Sequence, residues 1–164
     1  MKTLIAYAGK YGKTAEYAAH LANRMEGETH LLDLMGDKPY TPSQYDRVIV
    51  GSGVYYGRIL KQAAHFLEQA VPQAREIGMF LCCCFEEKQQ EYWAGNVSEE
   101  LLERIKVRGC FPGKVDQRKI KGLSKLVVKL VAKSLGTAGD VAEDAQQRAE
   151  EALDVFVESW RLKN

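Results

Sequence analysis

The stretch Ala6–Thr14 reads AYAGKYGKT, and its residue types are those that hold phosphate. Gly9 and Gly12 let a main chain approach an anion closely, Lys10 and Lys13 bring ammonium groups, and Thr14 offers a hydroxyl. Gly12-Lys13-Thr14 is also the tail of the triphosphate loop G-x-x-x-x-G-K-[ST], but the first glycine of that pattern falls on Tyr7. A triphosphate with its magnesium further calls for an acidic residue closing a buried strand. The run DRVIVGS, Asp46–Ser52, ends in glycine and serine instead. G-x-G-x-x-G does not occur, so the dinucleotide fingerprint is missing as well. What the loop suits is one phosphate group.

Cys82-Cys83-Cys84 invites a metal or redox reading. Neighbouring strand residues point to opposite faces, so three in a row cannot converge on one metal. Cysteine is also a small apolar core residue, and Cys82, Cys83 and Cys110 read as packing, whereas Cys84 closes its strand and can approach a ligand. His20, His30 and His65 are widely separated and form no ligand set or triad.

The elements that position these residues alternate. Lys2–Ala8 is a compact apolar run of the kind buried on both faces of a sheet. Thr14–Met25 carries apolar residues at 15, 18, 21, 22 and 25, a helical period. Thr29–Leu34 is a second strand, Asp46–Ser52 a third, Ile77–Phe85 a fourth and Lys106–Cys110 a fifth. Helices are expected over Leu60–Ala70, which stops near Pro72, over Val97–Glu103, and from about Ala142 to Arg161. Strand–helix alternation implies crossover connections and a parallel sheet with helices on both faces. Ligands of such sheets sit beyond the carboxyl ends of the strands, where the chain order reverses. Three loops with unusual chemistry leave those ends: 8–14, 52–58 and 84–93.

A chain of 164 residues makes about one domain, here expected over 1–164. With 46% hydrophobic and 27% charged residues and a formal net charge of +1, the composition is that of a soluble globular protein and makes no case for nucleic acid as a partner. The apolar run GMFLCCCF is too short to span a bilayer, and the N-terminus lacks a signal-peptide cleavage site. The four cysteines follow no disulfide framework, so a reduced cytoplasm is the expected location.

Tyr7 to Thr14, followed by Ala18 and Leu21, resembles the flavodoxin phosphate loop. The family's Ser or Thr falls on Gly9, and Lys10 and Tyr11 take further hydroxyl positions, so Thr14 alone keeps a side-chain hydroxyl. The resemblance covers essentially the whole chain. Asp46–Gly57 is similar to the second flavin loop of the branch that includes quinone-dependent protoporphyrinogen dehydrogenases. It implies a flavodoxin-like three-layer sandwich, a five-stranded parallel sheet ordered 2-1-3-4-5, and flavin mononucleotide (FMN) as cofactor. By that resemblance Gly9, Lys10, Tyr11, Gly12, Lys13 and Thr14 hold the phosphate. Ser52, Gly53, Val54, Tyr55, Tyr56 and Gly57 supply amides and tyrosines to cover a ring face. Cys84, Phe85 and Glu86 lie closest to the ring's other side, while Tyr92 and Trp93 read as packing at a helix entry.

The segment Gly109–Lys133 also looks like that branch, which carries a basic insert, here at 114–135, before its last helix. Lys121, Lys125, Lys129 and Lys133 make one helical stripe, joined by Lys114, Arg118 and Lys119 and opposed only by Asp116. Like charges at that spacing repel. An acidic closing helix, an anionic membrane surface or an acidic partner can compensate them. The expected function is therefore an FMN redox protein working with a partner protein or a quinone. A membrane-associated protoporphyrinogen dehydrogenase and a flavin-free binding domain of the same fold are the alternatives.

Overall fold

The computed structural model describes residues 1–36, 41–113 and 141–162, with the side chains of 141–145 excepted. The basic insert at 114–135 lies outside the described residues. Strand β1 (Lys2–Ala8) runs into helix α1 (Lys13–Arg24), then β2 (Glu28–Asp33), β3 (Arg47–Tyr55), β4 (Arg58–Ile59) and α2 (Lys61–Ala70). After these come β5 (Glu76–Cys83), α3 (Gln89–Asn96), α4 (Glu99–Arg104), β6 (Ile105–Pro112) and α5 (Val141–Leu162). The sheet order is β2-β1-β3-β5-β6, all pairs parallel, so the chain order reverses beside β1 as the expected topology requires.

Alternation along the strands builds two cores. Leu4, Val48, Val50, Met79 and Leu81 face α2 and α3, where Phe66, Leu67, Tyr92 and Trp93 cover them. Ile5, Ile49 and Phe80 face the other way, onto Tyr17 and Leu21 of α1 and Leu153, Phe156 and Trp160 of α5. This second core is a run of rings: Phe80 stacks on Phe111 at 5.1 Å, and Phe111 meets Phe156 edge-on at 5.8 Å. Gly51 and Gly78 are glycine because Phe80 and Trp160 lie across their backbones, where a Cβ would collide with a ring.

Three expected boundaries shift. The strand over Asp46–Ser52 continues through Gly53 to Tyr55, because β4 turns back and pairs with it antiparallel, Val54 with Ile59 and Tyr55 with Arg58. The two-residue turn between them, Tyr56-Gly57, has φ of 52° and 77°, the left-handed pair that suits the twist of a hairpin. The strand expected over Ile77–Phe85 stops at Cys83, since Phe85 leads into a short 3-10 turn, Glu86–Lys88. The helix expected over Val97–Glu103 starts later, as α4 at Glu99, because Val97 is extended at the end of α3 and Ser98 caps α4 by accepting from Leu101 N–H at 3.3 Å. Among the described residues, no helix is long and apolar enough to cross a membrane.

Candidate functional site

Register brings the three loops to one end of the sheet. Ala8 lies beside Ser52 on β3, and Gly53 beside Cys82 on β5, so β1, β3 and β5 finish side by side. Beyond Ala8 the chain passes through Gly9 to Gly12, which enters α1 in the left-handed conformation at φ 91° without a side-chain cap. The first amides of α1 therefore have no capping side chain, and the positive helix end faces the loop.

Thr14 is buried at 2% exposure and turns inward. A Cβ on Gly9 would lie 2.6 Å from the Thr14 hydroxyl, so the threonine fills the space that a side chain at position 9 would need. Glycine at 9 and threonine at 14 are thus one packing solution. Cys82 lies on the inner side of Thr14, and burial holds its thiol well above the ordinary pKa range. Lys13 is drawn sideways to Glu16, with its ammonium 5.2 Å from the Tyr17 ring centroid.

Tyr55 connects the first and second loops. Its ring folds back over Gly53, where a Cβ would sit 2.6 Å from the phenol oxygen. That oxygen accepts the Lys10 backbone N–H at 2.7 Å across 45 residues of sequence. Tyr11 meets the Tyr55 ring edge-on at 5.7 Å, and the Lys10 ammonium stands 4.9 Å from its centroid. Burial holds the Tyr55 phenol above its usual pKa, against the opposing pull of the Lys10 amide, so the group is neutral at physiological pH. Tyr56, at the hairpin tip, is 80% exposed.

The remaining candidates divide between loop surface and fold. Ser52 is fully buried, donating to Gly53 O at 3.0 Å and accepting from Leu60 N–H at 3.1 Å, so its hydroxyl fixes the hairpin base. Val54 is half-buried against the α2 side of the core. Gly57 is exposed, and its carbonyl accepts from the Asn96 side chain at 2.8 Å. Asn96 also accepts from Ile59 N–H at 3.1 Å, anchoring the hairpin to α3. Nothing local marks this asparagine, because its partners lie 37 and 39 positions away. Cys84 is exposed, Phe85 packs partly on the core, and Glu86 stands 4.0 Å from Arg148 of α5. Tyr92 and Trp93 are buried in the core beneath this loop.

The histidines stay apart: His30 pairs with Glu28 at 2.8 Å, His20 lies 3.9 Å from Glu150, and His65 contacts Gln69. Among the described residues no group of three His, Cys, Asp or Glu side chains could hold a metal ion.

A doubly wound parallel sheet with its loop cluster at the order reversal defines a flavodoxin-like fold. The family model described as "Flavodoxin domain" matches residues 4–142, and the chain belongs to that family. Oxidised flavodoxin 1 from Bacillus cereus is similar at 20% identity and a TM-score of 0.56, with 98% of each chain covered. The flavodiiron core of Flv1 from Synechocystis sp. PCC6803 is similar at 13% identity and a TM-score of 0.53, covering 100% of this chain and 37% of that one. Rubredoxin:oxygen oxidoreductase from Desulfovibrio gigas aligns at 16% identity and a TM-score of 0.50, with 97% and 37% covered. The chain thus spans about a third of those two larger proteins. No curated protein matches it.

Proposed function

We propose that the protein is an FMN-binding redox protein that passes electrons through the flavin to a partner protein or a quinone. The observation that carries this reading is the Lys10 amide with an oxygen atom already on it: the phenol of Tyr55, at 2.7 Å, stands in for a phosphate oxygen. Its position supports the reading, since the loop aims that N–H at the second loop. Gly9, Gly12, Lys10 and the open N-terminus of α1 complete a cradle for a monoester. In this reading Tyr11 and Thr14 flank the phosphate, Tyr55 or Tyr56 covers one side of the ring, and Cys84, Phe85 and Glu86 border the other. FMN supplies the electron-transfer chemistry; the chain binds it, orients it and excludes water around it. A peripheral membrane contact through 114–133 belongs to the quinone version of this proposal, the protoporphyrinogen dehydrogenase-like one.

A flavin-free binding domain is the second reading, favoured by that same phenol, which satisfies the Lys10 amide from within the chain. Titration with FMN, followed by quenching of flavin fluorescence, separates the two. The redox reading expects saturable binding of one FMN per chain and a visible spectrum that bleaches on reduction. Absence of saturable quenching would overturn it. If FMN binding turns the buried Thr14 hydroxyl to the phosphate, Thr14→Val should weaken FMN by about 1–3 kcal/mol, the cost of leaving a polar partner unpaired. An unchanged affinity would remove Thr14 from the site.

A further inference from the structure

Cys83 and Cys110 come from neighbouring strands, with Cys83 opposite Pro112 and Cys110 opposite Leu81 in the β5–β6 register. Their side chains leave the same face of the sheet, toward the α2 and α3 side. The sulfurs stand 2.9 Å apart, inside the contact distance of two unbonded sulfurs. A disulfide needs about 2.04 Å between sulfurs and Cα atoms within about 7 Å, so closing this diagonal pair, two residues apart in the register, draws the strand ends together as well. The two thiols differ in exposure: Cys83 is 1% exposed, whereas Cys110 is half-buried. The hydrogen bond from Cys83 also holds the Cys110 thiol below its ordinary pKa, against the effect of burial, and the Cys83 thiol is correspondingly raised. Cys82 lies on the opposite face of β5, in the other core, and takes no part.

We propose that Cys83 and Cys110 form a two-electron dithiol–disulfide site that exchanges with small-molecule disulfides of the glutathione type. Cys110 is the attacking sulfur, since it is the member of the pair with solvent access. Its thiolate displaces one glutathione thiolate from glutathione disulfide and becomes a mixed disulfide. Cys83, already in contact, then loses its proton and attacks the Cys110 sulfur, expelling the second glutathione. The dithiol gives up two electrons and two protons, and one glutathione disulfide becomes two glutathione thiols. Oxidation also removes the single Cys83 S–H, which is shared between Cys110 and the Phe85 carbonyl 3.7 Å away, so the state of the pair reaches the loop after β5. The inference does not depend on flavin binding.

The test uses the full chain carrying Cys84→Ser, which removes the exposed competing thiol, in buffers of graded glutathione disulfide to glutathione ratio. Intact mass, thiol titration and peptide mapping give the readout. The expected product lacks two hydrogens, keeps only Cys82 as a free thiol, links the Cys83 and Cys110 peptides, and reverts with dithiothreitol. Adding Cys83→Ser should arrest the reaction as a stable glutathione adduct on Cys110. The proposal is overturned if all three remaining thiols stay free across the series. It is equally overturned if an adduct on Cys110 persists with Cys83 intact, or if the link forms elsewhere. None of these results touches the FMN titration, so the two readings fail separately.

Discussion

A Glu76→Ala variant should lose about 3 kcal/mol of unfolding free energy, because it strands a buried cation. Arg47 opens β3 at 3% exposure and donates Nε and Nη2 to one Glu76 oxygen at 3.1 and 3.0 Å. The other oxygen accepts from Lys106 on β6 at 2.5 Å, so one carboxylate serves both its neighbouring strands. The Trp160 ring lies 4.0 Å from the Arg47 guanidinium on the remaining side. Glu76→Gln retains the shape and one acceptor, and its loss should be smaller. Urea unfolding of the three proteins at neutral pH measures this, and an alanine loss under about 1 kcal/mol would exclude the account. Acidity gives a second check. Burial alone would raise the Glu76 pKa, but the bonds from Lys106 and Arg47 outweigh it and lower the value below the ordinary 4.5. A carboxyl lowered in the folded state contributes its stability in full above the unfolded pKa and loses it as pH falls through the folded one. The parent's stability should therefore drop across that acid window, and the alanine variant's should drop less.

Trp160→Ala should be at least as damaging, at about 3–5 kcal/mol, the usual range for deleting a large buried ring. Trp160 is 2% exposed, fills the space above Gly78, and meets Phe156 edge-on at 6.4 Å. Its indole N–H has no hydrogen-bond partner among the described residues. Trp160→Phe keeps a ring over the glycine and removes that unpaired donor, so its loss should be about 1 kcal/mol. Equal losses for the two variants in thermal and urea unfolding would show that the ring itself is not what matters. Because Trp160 and Glu76 share Arg47, the double alanine variant should lose less than the separate losses combined.

The strand–loop–helix unit at 2–24 was legible because its signals are local: a buried apolar run, two glycines, then a helical period. The third strand was cut short for a physical reason. Gly53 looks like a loop residue from its neighbours alone, but it is glycine because Tyr55 lies across it. The helix expected from Val97 ran past a local start signal, Ser98, whose hydroxyl caps the Leu101 N–H three residues on. The candidate site was legible as three loops but not as contacts. Tyr55 reaching Lys10, Asn96 holding the hairpin and Cys83 touching Cys110 all depend on register between distant segments. Strand alternation turns consecutive cysteines to opposite faces, and the same alternation placed Cys83 against a sulfur from the next strand.

The tucked tyrosine has a kinetic consequence. In the FMN-binding reading proposed above, an incoming phosphate meets the Lys10 amide with the phenol already on it, so its entry waits for the ring to swing away. At high ligand concentration the association rate then levels off at the frequency of that swing, rather than climbing in proportion. The apparent affinity is likewise scaled by the fraction of molecules with the ring turned out.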